Sequence, residues 1–249
     1  VASPEPGTAR ALLLDVEGTT TPVDFVYQVL FPYAREHVAS FLERQWNEDA
    51  LRADVARLHE EHAADERGGE CPPAWTSGSQ QSVVSYVHWL MDRDRKSTGL
   101  KSLQGRIWED GYRGGALRAQ VYPDVPRAFA RWRRQGREIA IFSSGSVLAQ
   151  RLLFAHSTEG DLTPFIRGYF DTSSGAKKDA ESYRRIASAL GFEPSAVLFV
   201  SDVAAELDAA REAGLATALC ARNGAPTPPP AHHAVNAHRV LGGFDEVYP

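Results

Sequence analysis

Short aliphatic runs, each ending on a polar residue, alternate along the chain with stretches whose apolar residues recur every three or four positions. "ALLLDV" (11–16), "REIAIFS" (137–143) and "AVLFVSD" (196–202) are of the first kind. Continuous apolar runs this short suit central parallel strands buried on both faces. "LATALCA" (215–221) reads as a further strand. In "PRAFARWRRQG" the apolar Ala128, Phe129 and Trp132 share a helical face, arginines take the other, and Gly136 supplies a stop. "VLAQRLLFA" (147–155), "AESYRRIASALG" (180–191) and "AAELDAAREAG" (204–214) read as helices too, the last two again closed by glycine. Strand and helix in alternation predict a doubly wound α/β fold built on a parallel sheet.

One long segment interrupts this alternation. From about Asp24 to Gly115 no comparable strand occurs, and "VARLHEEHAADE", "VVSYVHWLMDRD" and "LQGRIWEDGYRGG" are helix-like, charged and aromatic. This predicts a helical insertion after the first strand, with "RGGECPPAWTSGS" (67–79) as a loop inside it. The expected division is a core of residues 1–22 and 117–249 and a helical domain of residues 23–116. "GAPTPPPAHH" (224–233) reads as a late surface loop, and no internal repeat is visible.

Composition narrows the function. A chain of 249 residues, 43% hydrophobic and 24% charged, has the make-up of a globular protein with a real core. A net charge of -5 gives no reason to expect nucleic acid or an anionic membrane as partner. Cys71 and Cys220 are too few for a disulfide framework or a zinc site. No run approaches the roughly 20 apolar residues of a membrane span. The stretch "VASPEPGTAR" lacks the features of a signal peptide. The expectation is a cytoplasmic monomer acting on a small molecule.

Ligands of open α/β sheets bind beyond the carboxyl ends of the strands. There the sequence puts Asp15 and Glu17 after the first strand, Ser143 and Ser144 after the second, and Asp202 after a third, with Lys177 in a glycine-containing loop before a helix. Singly, each has an ordinary role as cap, turn former, first-turn acid or solvated charge. Together, carboxylates and an ammonium converging in one place would be costly without a cation and an anion to neutralise the set, since clustered carboxylates repel. Phosphoryl transfer wants such a set. Mg²⁺ prefers carboxylate and water oxygens; serine hydroxyls, helix-start N–H groups and a lysine hold phosphate oxygens. An aspartate can attack phosphorus, and a carboxylate two residues on can move the leaving-group proton. Thr19 adds a phosphate-contacting hydroxyl from the same tight loop. A phosphoacceptor signalling domain groups similar residues, but at about half this length and without a helical insert.

"DVEGT", "FSSGS", Lys177 and "SDVAAE" resemble the four motifs of the haloacid dehalogenase superfamily of aspartate-nucleophile phosphatases. Longer strings, "DVEGTTTPVDFVYQVLFPYA", "STGLKSLQGRIWEDGY", "FSSGSVLAQRLLFAHSTEGDL", "FDTSSGAKKDAESYRRIA" and "LFVSDVAAELDAAREAG", resemble more closely its enolase-phosphatase family of methionine salvage. Asp-x-Glu in the first motif, where Asp-x-Asp is usual, is specific to that resemblance, and the strings outside the four motifs argue against another small-molecule phosphatase of the superfamily. The resemblance implies Asp15 as nucleophile and metal ligand, and Glu17 as acid/base with a metal contact near it, through its backbone carbonyl. It implies Ser143, Ser144 and Lys177 as phosphate contacts, Lys177 also balancing Asp15. Asp202 would hold Mg²⁺, with Glu206 behind it. The insertion would be a cap closing over the substrate. The implied reaction takes 2,3-diketo-5-methylthiopentyl 1-phosphate to an enol phosphate and then to the acireductone plus phosphate.

Overall fold

The computed structural model describes residues 9–222 and 238–249; the proline-rich stretch read as a late loop lies outside them. The chain divides into two compact units, residues 1–26 with 118–249, and residues 27–117.

The first unit is built on a six-stranded sheet in which every pairing is parallel, in the order β3-β2-β1-β4-β5-β6. The strands are β1 (Ala11–Leu14), β2 (Glu138–Phe142), β3 (Gly168–Phe170), β4 (Val197–Ser201), β5 (Ala216–Cys220) and β6 (Arg239–Leu241). In β1, β4 and β5 every residue is buried, as their unbroken aliphatic runs require. β3 (GYF) and β6 (RVL) are edge strands of three residues. At three residues they are too short to read as strands in sequence. The order reverses at β1, between β2 and β4, which makes the crevice beyond β1 and β4 the natural ligand site.

Helices α6 (Val125–Arg134), α7 (Val147–Ala155), α8 (Ala180–Leu190) and α9 (Ala204–Glu212) connect the strands, and the single turn α1 (Val23–Phe25) follows β1. Local chemistry sets their ends. Ser146 caps α7 by accepting from the Ala149 N–H, Asp179 caps α8 by accepting from Glu181, and Gly191 ends α8 with φ +76°. On one sheet face Ala11, Leu13, Phe142, Val197 and Phe199 pack with Tyr183, Ile186 and Leu190 of α8 and Leu207 and Ala210 of α9. That core carries the site at its upper rim.

The second unit contains α2 (Phe31–Gln45), α3 (Asp49–Arg67), α4 (Gln80–Asp92) and α5 (Thr98–Arg113), entered through a π-helical turn at Val26–Leu30. Two glycines of α5 allow close approach. A Cβ on Gly99 would stand 2.8 Å from Leu58 of α3, and one on Gly111 would stand 2.7 Å from the Tyr33 ring of α2. Aromatic contacts finish the packing: Trp75 stacks on His59 at 5.0 Å, and Tyr86 on Trp89 at 5.7 Å. No helix among the described residues is long and apolar enough to cross a membrane.

His238, just ahead of β6, is buried against β5 and α9. Its Nδ1 lies 2.7 Å from Thr217 Oγ1 and its Nε2 3.2 Å from Asp208 Oδ1. Burial is the largest influence and holds its pKa below the ordinary 6.5, with Arg211 adding to it and the Asp208 hydrogen bond opposing. The unfolded chain therefore takes up this proton first, so the stabilising contribution is present above pH 6.5 and is lost as pH falls through that value. Melting curves of the wild type should accordingly drop more steeply between pH 7.5 and 5.5 than those of His238→Gln. Parallel curves would contradict this.

Candidate active site

The register of the sheet decides which side chains meet. Leu14 is level with Ile141 of β2 and Val200 of β4, so Asp15 comes level with Phe142 and Ser201. Strand side chains alternate, so Asp15 continues the face of Ala11 and Leu13, and Ser201 that of Val197 and Phe199. Both emerge on the face covered by α8 and α9. Lys177 reaches it from the loop before α8, and Glu206 from the first turn of α9.

These four side chains form one hydrogen-bonded cluster. The Lys177 ammonium donates to Asp15 Oδ1 at 2.6 Å and lies 2.7 Å from Glu206 Oε2. Asp15 Oδ1 also accepts from the Val16 N–H at 2.8 Å. The Ser201 hydroxyl stands 3.0 Å from Asp15 Oδ2 and 3.2 Å from Glu206 Oε2. Having one proton, it donates to one carboxylate at a time, while its oxygen accepts from the Val203 N–H at 3.1 Å. Tyr183 of α8 fixes the lysine backbone by donating its hydroxyl to the Lys177 carbonyl at 2.6 Å.

Glu17 lies on the other side of Asp15, toward β2. The Ser143 hydroxyl donates to Glu17 Oε2 at 3.2 Å and accepts from the Gly145 N–H at 3.0 Å. Ser144 is exposed beside it. Asp202 follows Ser201 and presses on the β1 loop at Gly18, where a Cβ would fall 2.1 Å from Asp202 Oδ2. Gly18 has φ +73°, so it serves both the turn and the approach of the carboxylate. Thr19 is wholly buried, and its hydroxyl has no hydrogen-bond partner among the described residues. Asp15, Glu17, Ser143, Lys177, Asp202 and Glu206 thus gather as a contiguous group around the ends of β1, β2 and β4.

Four carboxylates share one ammonium here, and the titration behaviour follows. Burial, then the Asp15 charge, raises Glu17 above the usual carboxylate range. The same two causes push Asp202 up to about 6 and Glu206 up to about 7. Burial works against the charge on Lys177, but Asp15 and Glu206 outweigh it and raise its pKa above the ordinary value. The group is short of positive charge.

Ser201 escaped the sequence reading, although alternation along "VLFVS" puts it on the Asp15 face. Arg222 escaped it as well. It donates to the Thr19 carbonyl from Nε at 3.0 Å and Nη2 at 2.7 Å, and no motif around it in the sequence signals that contact.

Residues 9–214 match the model of the haloacid dehalogenase-like hydrolase family, which defines the class. The chain is 54% identical over 221 residues to the enolase-phosphatase E1 of Synechococcus elongatus, covering 89% of this chain and 92% of that one. It is 44% identical to the Klebsiella oxytoca enolase-phosphatase E1 over 96% of this chain and 97% of that one. The solved structure of the UTR4 protein of Saccharomyces cerevisiae is similar at a TM-score of 0.76 with 32% identity, covering 96% of this chain and 99% of that one. The chain belongs to the enolase-phosphatase E1 family of haloacid dehalogenase-like hydrolases.

Gly18→Ala should be unusually costly for so small a change. The strained φ alone would destabilise the fold by about 1–3 kcal/mol, and displacing Asp202 should lower kcat/KM by roughly 100-fold or more. Urea unfolding and steady-state kinetics check the two effects separately. An active Gly18→Ala enzyme would show that the contact with Asp202 is dispensable.

Proposed function

We propose that this site carries out both parts of the enolase-phosphatase reaction with Mg²⁺. It would convert 2,3-diketo-5-methylthiopentyl 1-phosphate to its enol phosphate and then to the acireductone and phosphate, as a cytoplasmic monomer of methionine salvage. The observation that carries the reading is the buried excess of carboxylates around Asp15, with a single ammonium to offset it.

That donor set suits a hard cation. It is all oxygen, which favours Mg²⁺ over softer metals. Among the described residues no three His, Cys, Asp or Glu side chains are grouped to hold a metal alone. Asp15 and Asp202, with the Glu17 backbone carbonyl and water, would hold Mg²⁺ in the way it normally binds, keeping several waters. When bound, it supplies positive charge that neutralises the phosphate and polarises the substrate oxygens.

The chain's own residues then have separable tasks. Lys177 and the Ser143 and Ser144 region, just ahead of α7, hold the phosphate, and Lys177 fixes the Asp15 carboxylate in place by donating to Oδ1. An Asp15 carboxylate oxygen attacks phosphorus; the bond from phosphorus to the substrate C1 oxygen breaks, and Glu17 gives that oxygen its proton. A raised pKa, from burial and then the Asp15 charge, favours the protonated form of Glu17 that this step needs. Water then attacks phosphorus, Glu17 takes the water proton, and the Asp15–phosphate bond breaks to release phosphate. The Thr19 hydroxyl of the same loop, buried and without a hydrogen-bond partner among the described residues, would turn to this phosphate only as the loop adjusts. The helical unit of residues 27–117 would serve as the cap that excludes water.

Enolisation and phosphoryl transfer depend differently on Asp15. Asp15→Asn keeps one oxygen able to bind metal but is a very poor nucleophile. The metal-loaded variant should release no measurable phosphate while still forming enol phosphate, followed by absorbance with metal content measured alongside. Phosphate release at near wild-type rate would show that Asp15 is not the nucleophile.

A further inference from the structure

We propose that Arg222 is a positioning residue for this reaction, resting on the function proposed above: its guanidinium pins the Thr19 carbonyl and thereby the loop that presents Asp15 and Glu17. The loop is a closed hoop. The N–H groups of Thr19, Thr20 and Thr21 all converge on the Val16 carbonyl at 3.2, 2.9 and 2.9 Å, and the Gly18 N–H donates to the Thr21 carbonyl at 2.8 Å. The Thr20 hydroxyl adds a bond to the Asp15 carbonyl at 3.1 Å or the Val16 carbonyl at 3.2 Å. A hoop bonded to itself moves as one piece, so its placement depends on what holds it from outside.

Two adjacent carbonyls on the hoop are held by a single assembly. Thr19 O accepts two N–H bonds from Arg222, and Thr20 O accepts the Tyr122 N–H at 3.0 Å. The Arg222 guanidinium stands 4.2 Å from the Tyr122 ring centroid and 4.7 Å from that of Phe244. Its remaining arm, Nη1, meets Asp124 Oδ2 at 2.6 Å, and that oxygen also accepts from the Phe244 N–H at 2.6 Å. Gly243 makes the junction possible, because a Cβ there would stand 2.7 Å from Asp124 Oδ2 and 3.1 Å from Arg222 Nη1. Arg222 is buried and its charge is answered by Asp124. It therefore acts through the Thr19 carbonyl and not as a phosphate ligand. Lysine, a point charge without the planar fork, reproduces only part of this.

Two measurements on the full chain test the assignment, one of them independent of substrate. Hydrogen exchange of the 16–21 segment should quicken by about 10-fold or more in Arg222→Gln, while β1 stays protected as in the wild type. With the diketo phosphate and Mg²⁺, kcat for phosphate release should fall about 30- to 100-fold with KM within about threefold, and Arg222→Lys should recover part of the loss. If Arg222→Gln does not fold, Arg222→Lys, which keeps the charge facing Asp124, carries the same comparison with smaller changes. Unchanged exchange at 16–21, or a kcat that falls only in proportion to the folded fraction, would overturn the assignment. A wild-type enzyme that leaves the diketo phosphate intact would instead count against the proposed function, and the exchange comparison alone would then decide whether Arg222 pins the loop.

Discussion

Lys177 stands between Asp15 and Glu206 with its ammonium within 2.7 Å of both carboxylates, in a place where almost no water reaches. Removing an ammonium from such a site would leave buried like charges facing one another, which costs far more than a surface ion pair contributes. The cluster nonetheless remains unbalanced, since Glu17 and Asp202 adjoin it as well. Burial first, and then the Asp15 charge, raises the pKa values of Glu17, Asp202 and Glu206, so the imbalance adds to what burial already imposes. The chain thus holds its carboxylates in a state whose excess negative charge a divalent cation would relieve.

What keeps these charges together is the hydrophobic sheet beneath them. The parallel register of β1 with β2 and β4 puts their last residues at one level, and alternation aims Asp15 and Ser201 to the same side. Beside and below them the same face is packed solidly with Phe142, Phe199, Tyr183 and Ile186, so the polar cluster cannot sink or spread. Around the rim the connections are short and capped: Ser146 starts α7, Asp179 starts α8, and the β1 loop closes on the Val16 carbonyl. Function here depends on a stiff frame that meets the cost of crowding like charges.

Much of this was legible in the sequence, for a definite reason. β1, β2, β4 and β5 are buried on both faces and so leave uninterrupted aliphatic runs, and the helices between them leave apolar stripes with glycine stops. Asp15, Glu17, Ser143, Lys177, Asp202 and Glu206 could be singled out because each lies at a strand or helix end or in a recognisable motif. β3 and β6 could not, because edge strands of three residues carry no periodicity. Ser201 hid as the last polar residue of an apolar strand. Arg222 was invisible for another reason: its partners Thr19, Asp124 and Phe244 are distant in sequence and meet only once the sheet has formed. Local pattern reveals residues that belong to an element, and not those that brace one element against another.

The claim that this carboxylate excess is built for a divalent cation is tested most directly by titrating Mg²⁺ calorimetrically at pH 6 and pH 8 in buffers of different ionisation enthalpy. With Asp202 and Glu206 raised to about 6 and about 7, cation binding should displace protons at pH 6 and few or none at pH 8. About one Mg²⁺ should bind per chain, more strongly at pH 8, with buffer-dependent heat at pH 6 and loss of binding in Asp202→Asn. Mg²⁺ binding that ignores pH and survives Asp202→Asn, or no saturable binding at either pH, would contradict it.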